Sequence, residues 1–252
     1  MTKQTGFKSS NQLPNNHDFF KDRDIKIGDF KIDWMFEEKL IDYDFALDFM
    51  NLRVDEIINK KANNLIWVLE HPSIYTAGIS AKDSDLLDTT DSKIYKTNRG
   101  GKYTHHCPGM KIIYAMIDLK NFFAPKEPDV ASFVNFLECW IIGVLANYQI
   151  EGNIRKDRVG IWVESKKGDI STDKKISAIG IKLKKWVSYH GISLNVNCDL
   201  SGFNKIIPCG ISEFGVTSLK DLGCKSFGDD FNKNFQLILK QEFQNQYNKL
   251  MV

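Results

Sequence analysis

Three β-strand candidates, Val159–Val163, Lys175–Leu183 and Trp186–Val196, follow one another with no helix between them. Connections this short cannot carry a chain over a sheet to a parallel neighbour, so the strands are expected to pair mostly as hairpins. The polar stretch Glu164–Lys174 reads as a loop and Lys184-Lys185 as a tight turn. In the first half, Asn64–Leu69 and Ile112–Ile117 read as strands, and Leu40–Lys60 and Val130–Tyr148 as amphipathic helices. A helix over Phe231–Tyr247 closes the chain. Helical blocks among hairpin-connected strands predict an α+β fold, a mixed and largely antiparallel sheet with helices packed on one face.

The chain has 252 residues, enough for one large domain with a substantial core. Residues 1–22, rich in Asn, Lys, Ser and Gln, are expected to form a flexible tail, with residues 23–252 as a single domain. Basic residues number 34 against 32 acidic, so no polycation is present and nucleic acid is not an expected partner. Apolar runs such as Trp140–Leu145 are too short to cross a bilayer, which predicts a soluble protein with no membrane partner. Five cysteines without C-x-x-C spacing fit a reducing cytosol.

One of those thiols, Cys209, lies between Pro208 and Gly210 in Ile-Pro-Cys-Gly-Ile, a setting that holds it on a constrained turn. Lys175 stands 34 positions upstream (209 − 175). An ammonium close to a thiol favours thiolate, the form that attacks carbonyls and thioesters. Cys107 is the competing nucleophile, because it sits beside His106 in a glycine-rich segment. That segment, Asn98-Arg99-Gly100-Gly101-Lys102-Tyr103-Thr104-His105-His106-Cys107-Pro108-Gly109, combines free backbone amides, a fixed charge and hydrogen-bonding side chains, and reads as a binding loop. Adjacent His105 and His106 on a strand point to opposite faces, and the other histidines have no metal-ligand spacing, so no metal is expected. His190-Gly191 interrupts a strand and marks a close approach; His71 and His190 are possible auxiliary groups. Lysines 182, 184 and 185, with 166, 167 and 174, form a candidate basic docking patch.

Five ordered motifs resemble the octanoyltransferases of lipoate biosynthesis. They are Glu70-His71-Pro72 through Thr76 and Gly78; Arg99-Gly-Gly-x-x-Thr104-x-His106-x-x-Gly109 with Tyr114; Lys175-Ile-x-Ala-Ile-Gly180; His190-Gly191-Ile-x-Leu-Asn195-Val-Asn197-x-Asp199; and Pro208-Cys209-Gly210. The resemblance implies a biotin/lipoate protein ligase-like fold, a catalytic Cys209 and Lys175, and a substrate site made of Arg99–His106, Ala178-Ile179-Gly180 and Gly191-Ile192-Ser193. It also implies transfer of octanoyl from octanoyl-acyl-carrier protein to a lysine of lipoyl domains, through an acyl-cysteine and without cofactor or ATP. The acceptors would be the lipoyl domains of 2-oxoacid dehydrogenases and the glycine cleavage H protein, in a bacterial cytoplasm ahead of a mitochondrial matrix.

This chain departs from the family pattern at His105, where an aromatic residue is usual, at Cys107, where glycine is usual, and at Met110, where glutamine is usual. A side chain at position 107 is expected to be strained if the backbone there has positive φ. The rival readings are an ATP-dependent lipoate or biotin ligase, a Cys–His hydrolase using His106 or His190 as base, and a non-catalytic lipoyl-domain binder. The first lacks a Gly-Arg-Gly-Arg phosphate loop here.

Overall fold

The computed structural model describes residues 25–27, 30–88, 93–167, 170–207 and 214–252; Cys209 and the expected N-terminal tail lie outside them. Phe30, Ile32 and Trp34 are buried and alternate with Lys31 and Asp33, which makes Phe30–Leu40 a strand, β2, after the short β1 (Ile25–Ile27). Helix α1 (Tyr43–Ile58) follows. Then come β3 (Asn64–Glu70), the small-sheet strands β4 (Ile74–Ala77), β5 (Ile94–Lys96) and β6 (Tyr103–His106), and β7 (Met110–Met116). The helices α2 (Leu119–Phe123) and α3 (Val130–Ala146) lead to β8 (Asn153–Arg155), β9 (Arg158–Lys167), β10 (Ile170–Lys184) and β11 (Val187–Asn195). β12 (Gly215–Val216) and α4 (Asp229–Met251) end the chain.

The main sheet runs β1-β2-β3-β7-β11-β10-β9-β8, with β12 added to β10. The β2–β3 and β10–β12 pairs are parallel and the others antiparallel, so the mixed, largely antiparallel sheet is as expected. Lys184 pairs with Val187 across Lys185 and Trp186, both at positive φ (49° and 69°), the two-residue hairpin whose twist matches the strands.

Three expectations are corrected. Helices do not cover one face only: α2, α3 and α4 pack on one side, while α1 and the small sheet cover the other. β3 shows the cause. Ile66 and Val68 enter the first core, Leu65, Trp67 and Leu69 the second, so an unbroken apolar run needs cover on both faces. The stretch Glu164–Lys174 is not a loop, since β9 and β10 continue as a paired ribbon to Lys167 and from Ile170. Its polar residues are satisfied across the ladder, where Asp173 accepts from Arg155 (2.8 Å) and Arg158 (2.6 Å). Leu40 ends β2 rather than opening α1.

Helix α3 is apolar nearly all round because it lies between the sheet and α4. Asp129 caps it by accepting the Ser132 amide (2.7 Å), and Trp140 packs edge-on against Phe243 (5.0 Å). Among the described residues no helix is long and apolar enough to cross a membrane.

Candidate active site

A cavity of about 230 Å³ opens where the loop after β5 lies over β10 and β11. Arg99, Gly100, Gly101, Lys102, Tyr103, Thr104 and His106 line one wall. Lys175, Ala178, Ile179 and Gly180 of β10 and His190, Gly191, Ile192 and Ser193 of β11 line another. Tyr43, Tyr114, Asp157 and Arg158 also border it. Three of the five motifs, those around Arg99, Lys175 and His190, therefore converge on one space; Cys209 lies outside the described residues. His105 does not line it, and His71 stands behind it.

The loop is held by its own arginine. Arg99 donates to the Thr76 carbonyl (2.8 Å) and hydroxyl (2.7 Å) and to the carbonyls of Gly100 (2.9 Å) and Lys102 (2.9 Å). Its guanidinium thus shapes the wall, beyond the fixed charge expected of it. The Gly100 amide donates to Ile181 O (3.1 Å), which removes it as a donor to a developing oxyanion. A Cβ at Gly180 would stand 2.8 Å from Gly100 O, so the loop can rest on β10 only over glycine.

Lys175 reaches this space through a β-bulge. Ile179 and Ile181 pack toward the α3 side, and strict alternation back from them would place Lys175 there too. The register slips between Lys175 and Ser177, leaving Lys175 opposite Trp162 and Ser177 opposite Ile161. Ile176 and Ile161 enter the α3-side core, while Lys175 turns to the cavity. Its ammonium sits 4.5 Å from the Trp162 ring centre and donates to Val159 O (2.9 Å), although the side chain is only 6% exposed.

The polar floor is electrically neutral. Burial lowers His71 to about 4 and His190 to about 4, the latter helped by Arg99, and pushes His106 well below its ordinary range. Burial likewise lifts Tyr43 to about 12 and Tyr114 well above the usual phenol range. His71 Nδ1 donates to the Ile41 carbonyl, so its Nε2 accepts from the Tyr114 hydroxyl (2.8 Å). His190 Nε2 donates to Asn98 Oδ1 (3.3 Å). Rings this weakly basic are poor general bases at neutral pH, which counts against the Cys–His hydrolase.

An acid-stability prediction follows from the same burial. His71 and His190 bind a proton near pH 6.5 when unfolded but only near 4 when folded, so the unfolded chain takes up more protons in between. Stability held above pH 6.5 should fall toward pH 4.5 by on the order of 2 kcal/mol per ring. Urea midpoints at pH 7 and 4.5 measure it, and His71→Gln should flatten the slope. A pH-independent midpoint would contradict the neutral floor.

Cys107 does not line the cavity. It is buried in the α1-side core, and its thiol donates to Asp199 O (3.6 Å). Its φ is not positive, so the side chain at this position carries no left-handed strain. His105 stacks on Tyr75 (4.7 Å) with its edge to Phe203 (5.6 Å), which explains how a histidine ring replaces the usual aromatic. Met110 is fully buried beneath the same core. Within the candidate basic patch, Lys184 is paired to Asp55 (2.6 Å), which reduces the charge offered to a partner.

Three residues near Lys175 escaped the reading of the sequence: Glu138, Gly160 and Trp162. The available signal was Glu138, the single charged residue of a mostly apolar helix.

The family model described as the lipoyl protein ligase A/B catalytic domain matches residues 42–240, which include this cavity and most of the sheet. The fold is similar to lipoate-protein ligase A bound with ATP, at TM-score 0.58 and 13% identity over 84% of this chain and 85% of the other. It is equally similar to an archaeal lipoylation system from Thermoplasma acidophilum, a bipartite lipoate protein ligase and its E2 lipoyl domain, at TM-score 0.59 and 13% identity over 83% and 82%. Sequence similarity is higher to octanoyltransferases. That of Bartonella tribocorum is 45% identical over 79% of this chain and 81% of its own length. That of Wolbachia sp. subsp. Brugia malayi is 44% identical over 84% and 98%. The chain belongs to the lipoyl protein ligase A/B family as one of its octanoyltransferases, and is an acyltransferase.

Proposed function

We propose that residues 23–252 act as one catalytic domain that moves an octanoyl group from octanoyl-acyl-carrier protein to a lysine of a lipoyl domain, with Cys209 carrying the acyl group between them. The Cys209 thiolate, stabilised by the Lys175 ammonium, attacks the carrier thioester; a new C–S bond forms, the carrier's C–S bond breaks, and the carrier leaves as a thiol with the proton of Lys175. The acceptor amine then attacks the acyl-cysteine, the C–S bond breaks, and the amide forms as the amine gives its proton to the neutral Lys175 and Cys209 leaves as thiolate. Two protein substrates cannot easily share one site, and a covalent intermediate lets them come in turn. The acceptors are lipoyl domains of the 2-oxoacid dehydrogenases and the glycine cleavage H protein.

The observation that carries this reading is Lys175, a buried ammonium facing a cavity walled by the acyl-binding motifs. Val216, seven positions after Cys209, pairs with Lys175 itself, so the chain carrying the thiol returns beside this amine. The neutral floor suits an uncharged acyl chain. Burying about seven carbons at roughly 0.8 kcal/mol each supplies on the order of 5 kcal/mol for chain selection.

The test is intact-mass analysis of the protein mixed with octanoyl-acyl-carrier protein and no ATP. One octanoyl adduct should appear and be discharged onto an added lipoyl domain. An adduct that forms only with ATP, or that is lost to water as fast as to a lipoyl domain, would overturn the reading.

A further inference from the structure

Glu138 is a carboxyl group without an assigned part. It lies on α3, 5% exposed, among side chains that pack into the apolar core. Burial raises its pKa, opposed by the Gly160 amide and by the charge of Lys175. Such a group is costly to retain unless its partners fix something.

Those partners form a short chain. Glu138 Oε1 accepts the Gly160 amide (3.0 Å), and Lys175 Nζ donates to Val159 O (2.9 Å). The Val159 carbonyl and the Gly160 amide are the two ends of one peptide group. A carboxyl at its N–H and an ammonium at its C=O polarise that peptide in the same sense, so each bond strengthens the other. Gly160 makes the arrangement possible. Its φ is +118°, and a Cβ there would stand 2.6 Å from Ser177 O and 3.3 Å from both Lys175 Cε and Nζ. The neighbouring charge on β9, Arg158, is bonded to Asp157 and Asp173 instead.

We propose that Glu138 is a positioning residue that holds Lys175 in the cavity through the Val159–Gly160 peptide. The inference rests on the catalytic role proposed for Lys175. It extends the site across the sheet to α3, with the Gly160 amide as the link between them.

The experiment is a double-mutant cycle on the full chain, with octanoyl-acyl-carrier protein and a lipoyl domain as substrates. Glu138→Met keeps the volume but removes the acceptor. It should lower kcat about 10- to 100-fold, the cost of a misplaced catalytic group, with KM changed less than about twofold. Glu138→Gln, which still accepts the Gly160 amide, should recover most of the rate. In a Lys175→Ala background, Glu138→Met should add almost nothing, because the two act as a unit. Full additivity, or wild-type kcat in Glu138→Met, would overturn the inference. Lys175→Ala with wild-type activity would instead defeat the underlying reading. If Glu138→Met does not fold, carbon-13 titration of the Glu138 carboxyl serves in its place. The carboxyl should titrate at higher pH in Lys175→Met than in the wild type, and an unchanged midpoint would overturn the link.

Discussion

Cys209→Ala is expected to accept no octanoyl group from the carrier protein and to lose transfer by at least about 10⁴-fold. In the proposed mechanism the acceptor amine does not meet the carrier thioester directly, so binding energy cannot replace the nucleophile that forms the covalent intermediate. The measurement is the mass of the protein after mixing, together with the rate of lipoyl-domain octanoylation. Thermal unfolding should be little changed. The control is Cys107→Ala, which should load normally, since Cys107 packs into the α1-side core outside the cavity. Loading that persists in Cys209→Ala and disappears in Cys107→Ala would show that the wrong thiol had been assigned.

Lys175→Ala should slow loading by about 10²- to 10⁴-fold at neutral pH, the usual worth of a positioned acid–base group. An isolated cysteine ionises near 8.5, so without the ammonium only a few per cent is thiolate at pH 7. Loading in the variant should therefore recover in part between pH 7 and 9. Lys175→Arg should not restore the rate. The guanidinium remains protonated and cannot take a proton from the attacking amine. Stopped-flow loading kinetics across pH would read the first effect, and the rate of discharge onto a lipoyl domain the second. A Lys175→Arg variant as fast as wild type would exclude a proton-accepting lysine.

Periodicity located the long elements well. Val130–Tyr148 against an observed Val130–Ala146, and Asn64–Leu69 against Asn64–Glu70, differ only at their ends. β2 went unrecognised although Phe30, Ile32 and Trp34 alternate, and the β9–β10 ribbon was hidden because both its faces are polar. Alternation marks a strand only when one face is buried. The same limit applied at the site. Motifs identified the walls of the cavity, but not that Arg99 is committed to the loop or that the Gly100 amide is already bonded.

What the linear chain determined was the inventory: an α+β fold rich in hairpins, a Pro-Cys-Gly thiol, a lysine and two glycine-rich walls. What required tertiary structure was direction. By simple alternation Lys175 belongs on the α3 side of β10, and only the slip at Ile176 turns it into the cavity. A bulge arises from how two strands register against each other. It therefore has no local signature, and neither does a carboxyl on α3 that reaches the lysine through a peptide of a third element.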